Sequence, residues 1–228
     1  MPEAVLIWLE VIFDVFYLVA IWTIVYLMWK KKGNLEDSTK RIGELFLLAF
    51  FLLALGDTGH VGFRVVAYAL GGLEANEMLV GLGSFVTAVT VTFFYMIVAE
   101  IWRVRFNKER NILWWSFIVI GFLRLIIMLP TGNGWGTSPT PFNWSLARNI
   151  PLMIQGIGIA IFILRDSIKT KDTFSRNISI WIFVSYACYL PVILFVNKVP
   201  MLGMLMMPKT LAYLAVAVIA YKLFKTKK

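Results

Sequence analysis

The chain holds a single cysteine, Cys188, and a single histidine, His60, among 228 residues. One thiol cannot close an intrachain disulfide or form a redox pair, and Cys188 lies inside an apolar run, where a buried structural thiol is expected. One imidazole and a few scattered carboxylates make neither a closed zinc site nor a haem held by two histidines. No metal is therefore expected, and no cofactor is indicated. Acidic residues are scarce too: 13 Asp and Glu stand against 22 Lys and Arg, for a net charge of +9. In a soluble chain that excess would point to nucleic acid. Here the basic residues sit in short segments between apolar runs, so the expected partner is the anionic headgroup layer of a lipid bilayer and not nucleic acid. Long polar loops are missing, which leaves no room for an appended domain. The chain reads as one domain over 1–228, and any signalling role would need a separate partner. The start, Met1-Pro2-Glu3-Ala4, has no basic region and no small-residue cleavage site ahead of the first apolar run, so that run is expected to be a retained helix.

What is abundant is apolar sequence. Hydrophobic residues make up 60% of the chain and mean hydropathy is +0.78, whereas soluble domains carry about 45–50% apolar residues. Crossing a bilayer takes about 20 mostly apolar residues. Seven segments qualify, at about 4–29, 44–70, 78–101, 112–130, 145–165, 178–196 and 201–224. Breakers fall between them: Gly71-Gly72, then Pro130-Thr131-Gly132-Asn133-Gly134, then Asn197-Lys198-Val199-Pro200. The fold class expected is an all-α integral membrane bundle of seven transmembrane helices.

Loop charge sets the expected orientation. Lys30, Lys31, Lys32, Lys40 and Arg41 lie in the first loop, Arg103, Arg105, Lys108 and Arg110 in the third, and Arg165, Lys169, Lys171 and Arg176 in the fifth. The tail adds Lys222, Lys225, Lys227 and Lys228. The other side has Lys198 alone, beside Glu74 and Glu77. By this count the N-terminus is outside and the C-terminus cytoplasmic.

The remaining ionisable residues fall within the spans. An ionisable group at mid-bilayer costs about 2.5–3.5 kcal/mol on insertion scales, so such groups face the bundle interior and are paired. Glu10 and Asp14 (i, i+4) lie in the outer half of the first span. Asp57, His60 and Arg64 (i, i+3, i+7) share one face of the second. Arg124 lies in the outer half of the fourth span, Arg148 and Asn149 near the outer start of the fifth, and Lys209 two turns into the seventh. Tyr189 of the sixth and Tyr213 of the seventh repeat at i+4 from Ser185 and Lys209. Five helices thus place charge at one depth. Gly56, Gly59 and Gly62 flank the second-span stripe and would let a neighbouring helix approach closely, while the third span adds only Ser84, Thr87 and Thr90. Three carboxylates against four cations leave room for an anion. The competing readings are snorkelling for Arg148 and Glu10, and a purely structural ion-pair network for the layer. Trp8, Trp29, Trp102, Trp135 and Trp144 read as an interfacial belt, and Glu44 and Glu100 as interfacial carboxylates.

The stretch Gly56-Asp57-Thr58-Gly59-His60-Val61-Gly62-Phe63-Arg64, with Arg148-Asn149-Ile150-Pro151 and Met206-Met207-Pro208-Lys209-Thr210, resembles a family of small prokaryotic seven-helix membrane proteins. Its pattern is G-D-x-x-H-x-x-x-R in the second helix and M-x-P-K-T in the last. The likeness runs from the second span to the seventh. It implies a shared site and a prokaryotic plasma membrane, and no particular chemistry. The topology also resembles that of microbial rhodopsins, with a lysine in the last helix. The residues depart from them, because the third span has no core carboxylate and Lys209 lies nearer the outer end.

Two function classes follow. The first is a receptor or transporter that holds a small anionic or amphiphilic ligand in a charged cavity, with arginines clamping a carboxylate or phosphate through paired donors. Its residues would be Glu10, Asp14, Asp57, His60, Arg64, Arg124, Arg148, Asn149, Tyr189 and Lys209. The second is an intramembrane enzyme for a lipid-like substrate, with Asp57 and His60 as acid and base and Lys209 as nucleophile. A retinal protein through Lys209 is a lesser alternative.

Overall fold

A computed structural model describes residues 3–137 and 140–225, with side chains from Trp8 onward; Lys227 and Lys228 of the basic tail lie outside the described residues. Seven helices are described: α1 (Glu3–Lys31), α2 (Asp37–Ala69), α3 (Glu77–Arg105), α4 (Ile112–Ile127), α5 (Phe142–Thr170), α6 (Thr173–Phe195) and α7 (Met206–Tyr221). Among the described residues there is no strand. Six helical stretches are long and apolar enough to cross a membrane, and α4 is a shorter apolar helix. The chain is thus an all-helical protein of integral-membrane type.

The apolar runs are legible directly, but the helices overrun them. α2 begins at Asp37 and not near 44, and α5 continues to Thr170, so the basic stretches around Lys40-Arg41 and Arg165–Lys169 are helical. Nothing in either stretch breaks a helix, and propagation past the apolar boundary needs only residues that tolerate helical backbone. α5 stops where Lys171 turns left-handed at φ 57°, and the Asp172 side chain then accepts from the Ser175 N–H to cap α6. α4 is shorter than the 112–130 expected: Asn111 caps its start, and Pro130 forbids its continuation. α2 ends on Gly71 and Gly72, both at positive φ, where only glycine is unstrained. Asn76 Nδ2 reaches the Ala67, Leu70 and Gly72 carbonyls there, at 3.3, 3.2 and 3.0 Å, and so satisfies carbonyls that the helix end leaves open.

Each helix packs on the next, and α1 closes the ring on α7. Cross-helix pairs show that neighbours run antiparallel. Residues early in α1 meet residues late in α2 (Glu10 with Arg64, Tyr17 with Asp57), and Arg41 at the start of α2 meets Glu100 near the end of α3. The core between them is apolar and aromatic, with Ile21, Phe50, Phe94, Tyr95, Ile159 and Ile182 almost fully enclosed. Large apolar side chains such as Phe16, Val19, Phe122 and Ile126 are more than half exposed. That outward hydrophobicity is what a lipid solvent permits.

The α2–α3 seam is the most extensive of the helix interfaces. An added Cβ at Gly83 would stand 2.9 Å from the Gly59 carbonyl oxygen and 3.0 Å from His60 Cα, so the two backbones touch across bare glycine. Thr87 Oγ1 donates to the Gly56 carbonyl at 2.7 Å across the same seam.

At the basic end Glu100 pairs with Arg41 and Arg103, and Asp172 with Arg105 at 2.8 Å. Buried Asp166 accepts from Trp102 Nε1 at 2.9 Å and faces Lys108 Nζ at 3.3 Å. Glu100 is therefore an ion-pair centre between helices, and Trp102, for which a membrane-surface position was expected, is interior at 3% exposed. Of these residues Trp102 and Arg105 also line a small apolar cavity of about 20 Å³ between Phe46, Phe94, Ile178 and Val216.

Candidate functional site

The end of the bundle opposite the basic loops carries the ionisable residues singled out from the sequence, and the structure divides them between two seams. On the α1–α2 seam, Arg64 Nη2 meets Glu10 Oε1 at 2.5 Å. Two turns deeper Tyr17, 2% exposed, donates its hydroxyl to Asp57 Oδ2 at 2.6 Å. Asp14 lies between, within range of the charges of Glu10, Arg64 and Asp57. Trp22 Nε1 donates to Thr58 Oγ1 at 2.8 Å and is the third side-chain bond between α1 and α2. Glu10, Asp14 and Tyr17 follow one another at i, i+4, i+7, so a single face of α1 meets the Asp57–Arg64 face of α2. His60 shares that face with no recorded bond to Asp57. Its Nδ1 is buried without a hydrogen-bond partner among the described residues, and the charges that reach it are Arg64 and Lys209.

The second group is built on α4, α5, α6 and α7. Arg124, 2% exposed, donates Nε–H to the Arg148 carbonyl at 2.8 Å, Nη1–H to the Ala88 carbonyl at 2.6 Å, and Nη1–H also to Thr92 Oγ1. One guanidinium thus ties α4 to α3 and α5 with neutral acceptors only. Arg148 donates Nη1–H to the Asn133 carbonyl and side-chain oxygens at 3.2 and 3.3 Å, and its guanidinium lies 4.3 Å from the centroid of the Trp135 ring, within cation–π range. Trp135 in turn donates Nε1–H to the Met128 carbonyl at 3.1 Å and packs edge-on against Phe85. Its half-buried indole is thus engaged by the protein, where an interfacial-belt position was expected. Nor does Arg148 snorkel to headgroups: it is 8% exposed and engaged on the 131–135 turn.

Tyr189 connects this group to the rest. Its hydroxyl donates to Asn149 Oδ1 at 3.0 Å, and Lys209 Nζ stands 4.1 Å from its ring centroid. The charges of Arg124 and Arg148 both reach it. Lys209 has Asp57 as the carboxylate within range, yet the two are not in ion-pair contact; the five ion pairs among the described residues involve Glu10, Glu100, Asp166 and Asp172 as acids. Three cations from α4, α5 and α7 therefore surround one tyrosine with no carboxylate touching any of them. Beneath them lies a tyrosine layer. Tyr95 and Tyr213 share a hydroxyl–hydroxyl bond of 2.7 Å, and Tyr186 donates to the Leu152 carbonyl at 2.9 Å.

Sequence spacing located the ten candidate residues at one end of the bundle but missed Tyr17, Thr92, Asn133 and Trp135. Tyr17 was available as the i+3 continuation of Asp14. The other three become partners only through the rotation of α3 and the fold of the 131–135 turn. Among the described residues no group of three or more His, Cys, Asp or Glu side chains converges. Neither protein families, nor curated proteins, nor solved structures provide a match to this chain.

Proposed function

We propose that this is a seven-span membrane-embedded binding protein, a receptor or transporter of a prokaryotic plasma membrane. It holds the anionic group of a small or amphiphilic molecule among Arg148, Tyr189, Asn149 and Lys209. The observation that carries this reading is the trio Arg124, Arg148 and Lys209, gathered around Tyr189 without a contacting carboxylate. Cations held in a low-dielectric interior without counterions are costly, and an incoming carboxylate or phosphate would relieve that cost. Arg124 is already committed to three neutral acceptors and acts as the fixed positive background. Arg148 and Lys209 keep donors to offer. Asp57, held by Tyr17, limits the net charge and favours a ligand of one negative charge over one of several. The likeness in G-D-x-x-H-x-x-x-R and M-x-P-K-T fits a site shared by a family.

The test uses the purified protein in mild detergent and follows its thermal unfolding with acetate, octanoate, inorganic phosphate and an alkyl phosphate. At least one monoanion should raise the midpoint in proportion to the logarithm of its concentration. Lys209→Met should abolish the shift and Lys209→Arg should keep part of it. Unchanged melting under all four anions would sink the proposal. So would borohydride trapping of a carbonyl compound on Lys209 at stoichiometric yield, which marks a Schiff-base site instead.

The orientation belongs to the same proposal, because the basic loops are read as cytoplasmic. On a Cys188→Ser background, Thr137→Cys should react with a membrane-impermeant maleimide on intact cells and Glu109→Cys only after lysis. The reverse pattern overturns the orientation.

A further inference from the structure

A second site of different character lies on the outside of α1. Leu18, Val19, Trp22, Thr23 and Tyr26 line an open groove of about 470 Å³. Its floor is fixed, because Trp22 is pinned to α2 through its bond to Thr58 and its edge contact with Phe51. Its threonine hydroxyl is spent, because Thr23 Oγ1 donates to the Val19 carbonyl at 2.7 Å and leaves the methyl group for the groove, and the other hydroxyl, of Tyr26, stands at its basic end. At a rise of about 1.5 Å per residue, Leu18 to Tyr26 spans about 12 Å, close to the roughly 15 Å of hydrocarbon in one leaflet.

Toward the basic end the groove runs into Tyr26 and Trp29, whose rings lie 6.3 Å apart. There Lys32 Nζ stands 5.9 Å over the Trp29 ring. Lys30 follows Tyr26 at i+4 and so shares its face. Neither lysine has a carboxylate partner among the ion pairs of the described residues. An apolar trough one leaflet long, then two interfacial aromatics, then two unpaired cations, reproduces in order the acyl chain, interface and phosphate of a phospholipid. We propose that this face of α1 is a site for one anionic phospholipid, with a chain in the groove and the phosphate at Lys30 and Lys32. The neighbouring Lys31 turns the other way and shares the Tyr221 ring with Lys225, at 5.5 and 5.2 Å. That second pair supplies a charge-matched control.

The experiment is native mass spectrometry of the whole chain released from detergent with equimolar phosphatidylglycerol and phosphatidylcholine of identical chains. Wild type should retain one phosphatidylglycerol in preference. Lys30→Gln/Lys32→Gln should lose that preference by roughly fivefold for each lysine removed, and Trp22→Ala should weaken retention of the same lipid. Lys31→Gln/Lys225→Gln, with equal charge loss elsewhere, should keep it. Equal retention of the two lipids overturns the site. Equal loss in both lysine pairs overturns it as well, by reducing it to diffuse charge at the basic end. Displacement by millimolar inorganic phosphate with no effect of Trp22→Ala would show a free-phosphate site and exclude the lipid. Circular dichroism and gel filtration of each variant establish that the fold is retained.

Discussion

Arg124→Ala is expected to cost the bundle about 2–4 kcal/mol, the sum of lost charge-assisted bonds and an interior void, less the relief of desolvating a cation. The side chain is 2% exposed and is the fastener between α4 and its two neighbours, through the Arg148 and Ala88 carbonyls and Thr92. A single ammonium cannot reproduce donors that point to both sides, so Arg124→Lys should recover only part of the loss. Arg124→Met decides between charge and volume, because it fills the space without any donor. Thermal unfolding in one detergent reads all three. If the Met variant melts with wild type, the desolvation cost equals the value of the bonds, and the fastener reading fails.

The second large effect is expected at Gly83. A methyl group there meets the Gly59 carbonyl and His60 Cα. Both are backbone, which cannot rotate aside as a side chain would. Gly83→Ala should therefore force α2 from α3 and cost about 1–3 kcal/mol, as overpacked cores do, and Gly83→Val should cost more. Gly62 is the control: nothing lies within 4 Å of a Cβ built on it, so Gly62→Ala should stabilise by up to about 1 kcal/mol through helix propensity alone. Because Asp57 and His60 ride on the displaced helix, Gly83→Ala should also weaken anion-induced stabilisation, and Gly62→Ala should not. Equal melting of the two alanine variants would show that the seam is softer than its geometry implies.

How far the sequence disclosed this arrangement depends on which physical term decides each feature. Helix existence follows from unbroken apolar runs, and all seven were legible. Helix ends were not, because α2 and α5 continue into Lys40-Arg41 and Arg165–Lys169, whose composition permits helix as readily as loop. That the ionisable residues gather toward one end of the bundle was legible from position along each run, and the shared face of Asp57, His60 and Arg64 from spacing. Partner choice was not. Asp57 receives Tyr17 and not His60, Glu10 takes Arg64, and Arg124 and Arg148 bond to carbonyls. Those outcomes depend on how each helix is rotated about its axis. Spans that are apolar on every side carry little of the amphipathic contrast that would encode rotation. The same ambiguity hid Trp102 and Trp135. A tryptophan near a span end looks the same in sequence whether its indole meets headgroups or, as here, Asp166 and Arg148.

The brevity of α4 has a consequence for the surrounding lipid. Its 16 residues rise about 24 Å, against about 30 Å of hydrocarbon in a typical bilayer, while α3 and α5, with 29 residues each, overreach it. If α4 crosses the bilayer, as proposed, lipids beside it must shorten or tilt their chains to keep the helix ends wet, at a cost of a fraction of a kcal/mol per Å. On the seven-span arrangement proposed above, the protein would be an uneven body in the bilayer, with a thin flank at α4 and thick flanks on either side of it. In a membrane of mixed chain lengths it should gather short-chain lipids along that one edge. In thick bilayers two copies should lower the strain by placing their α4 edges together, so that membrane thickness itself becomes a control on association.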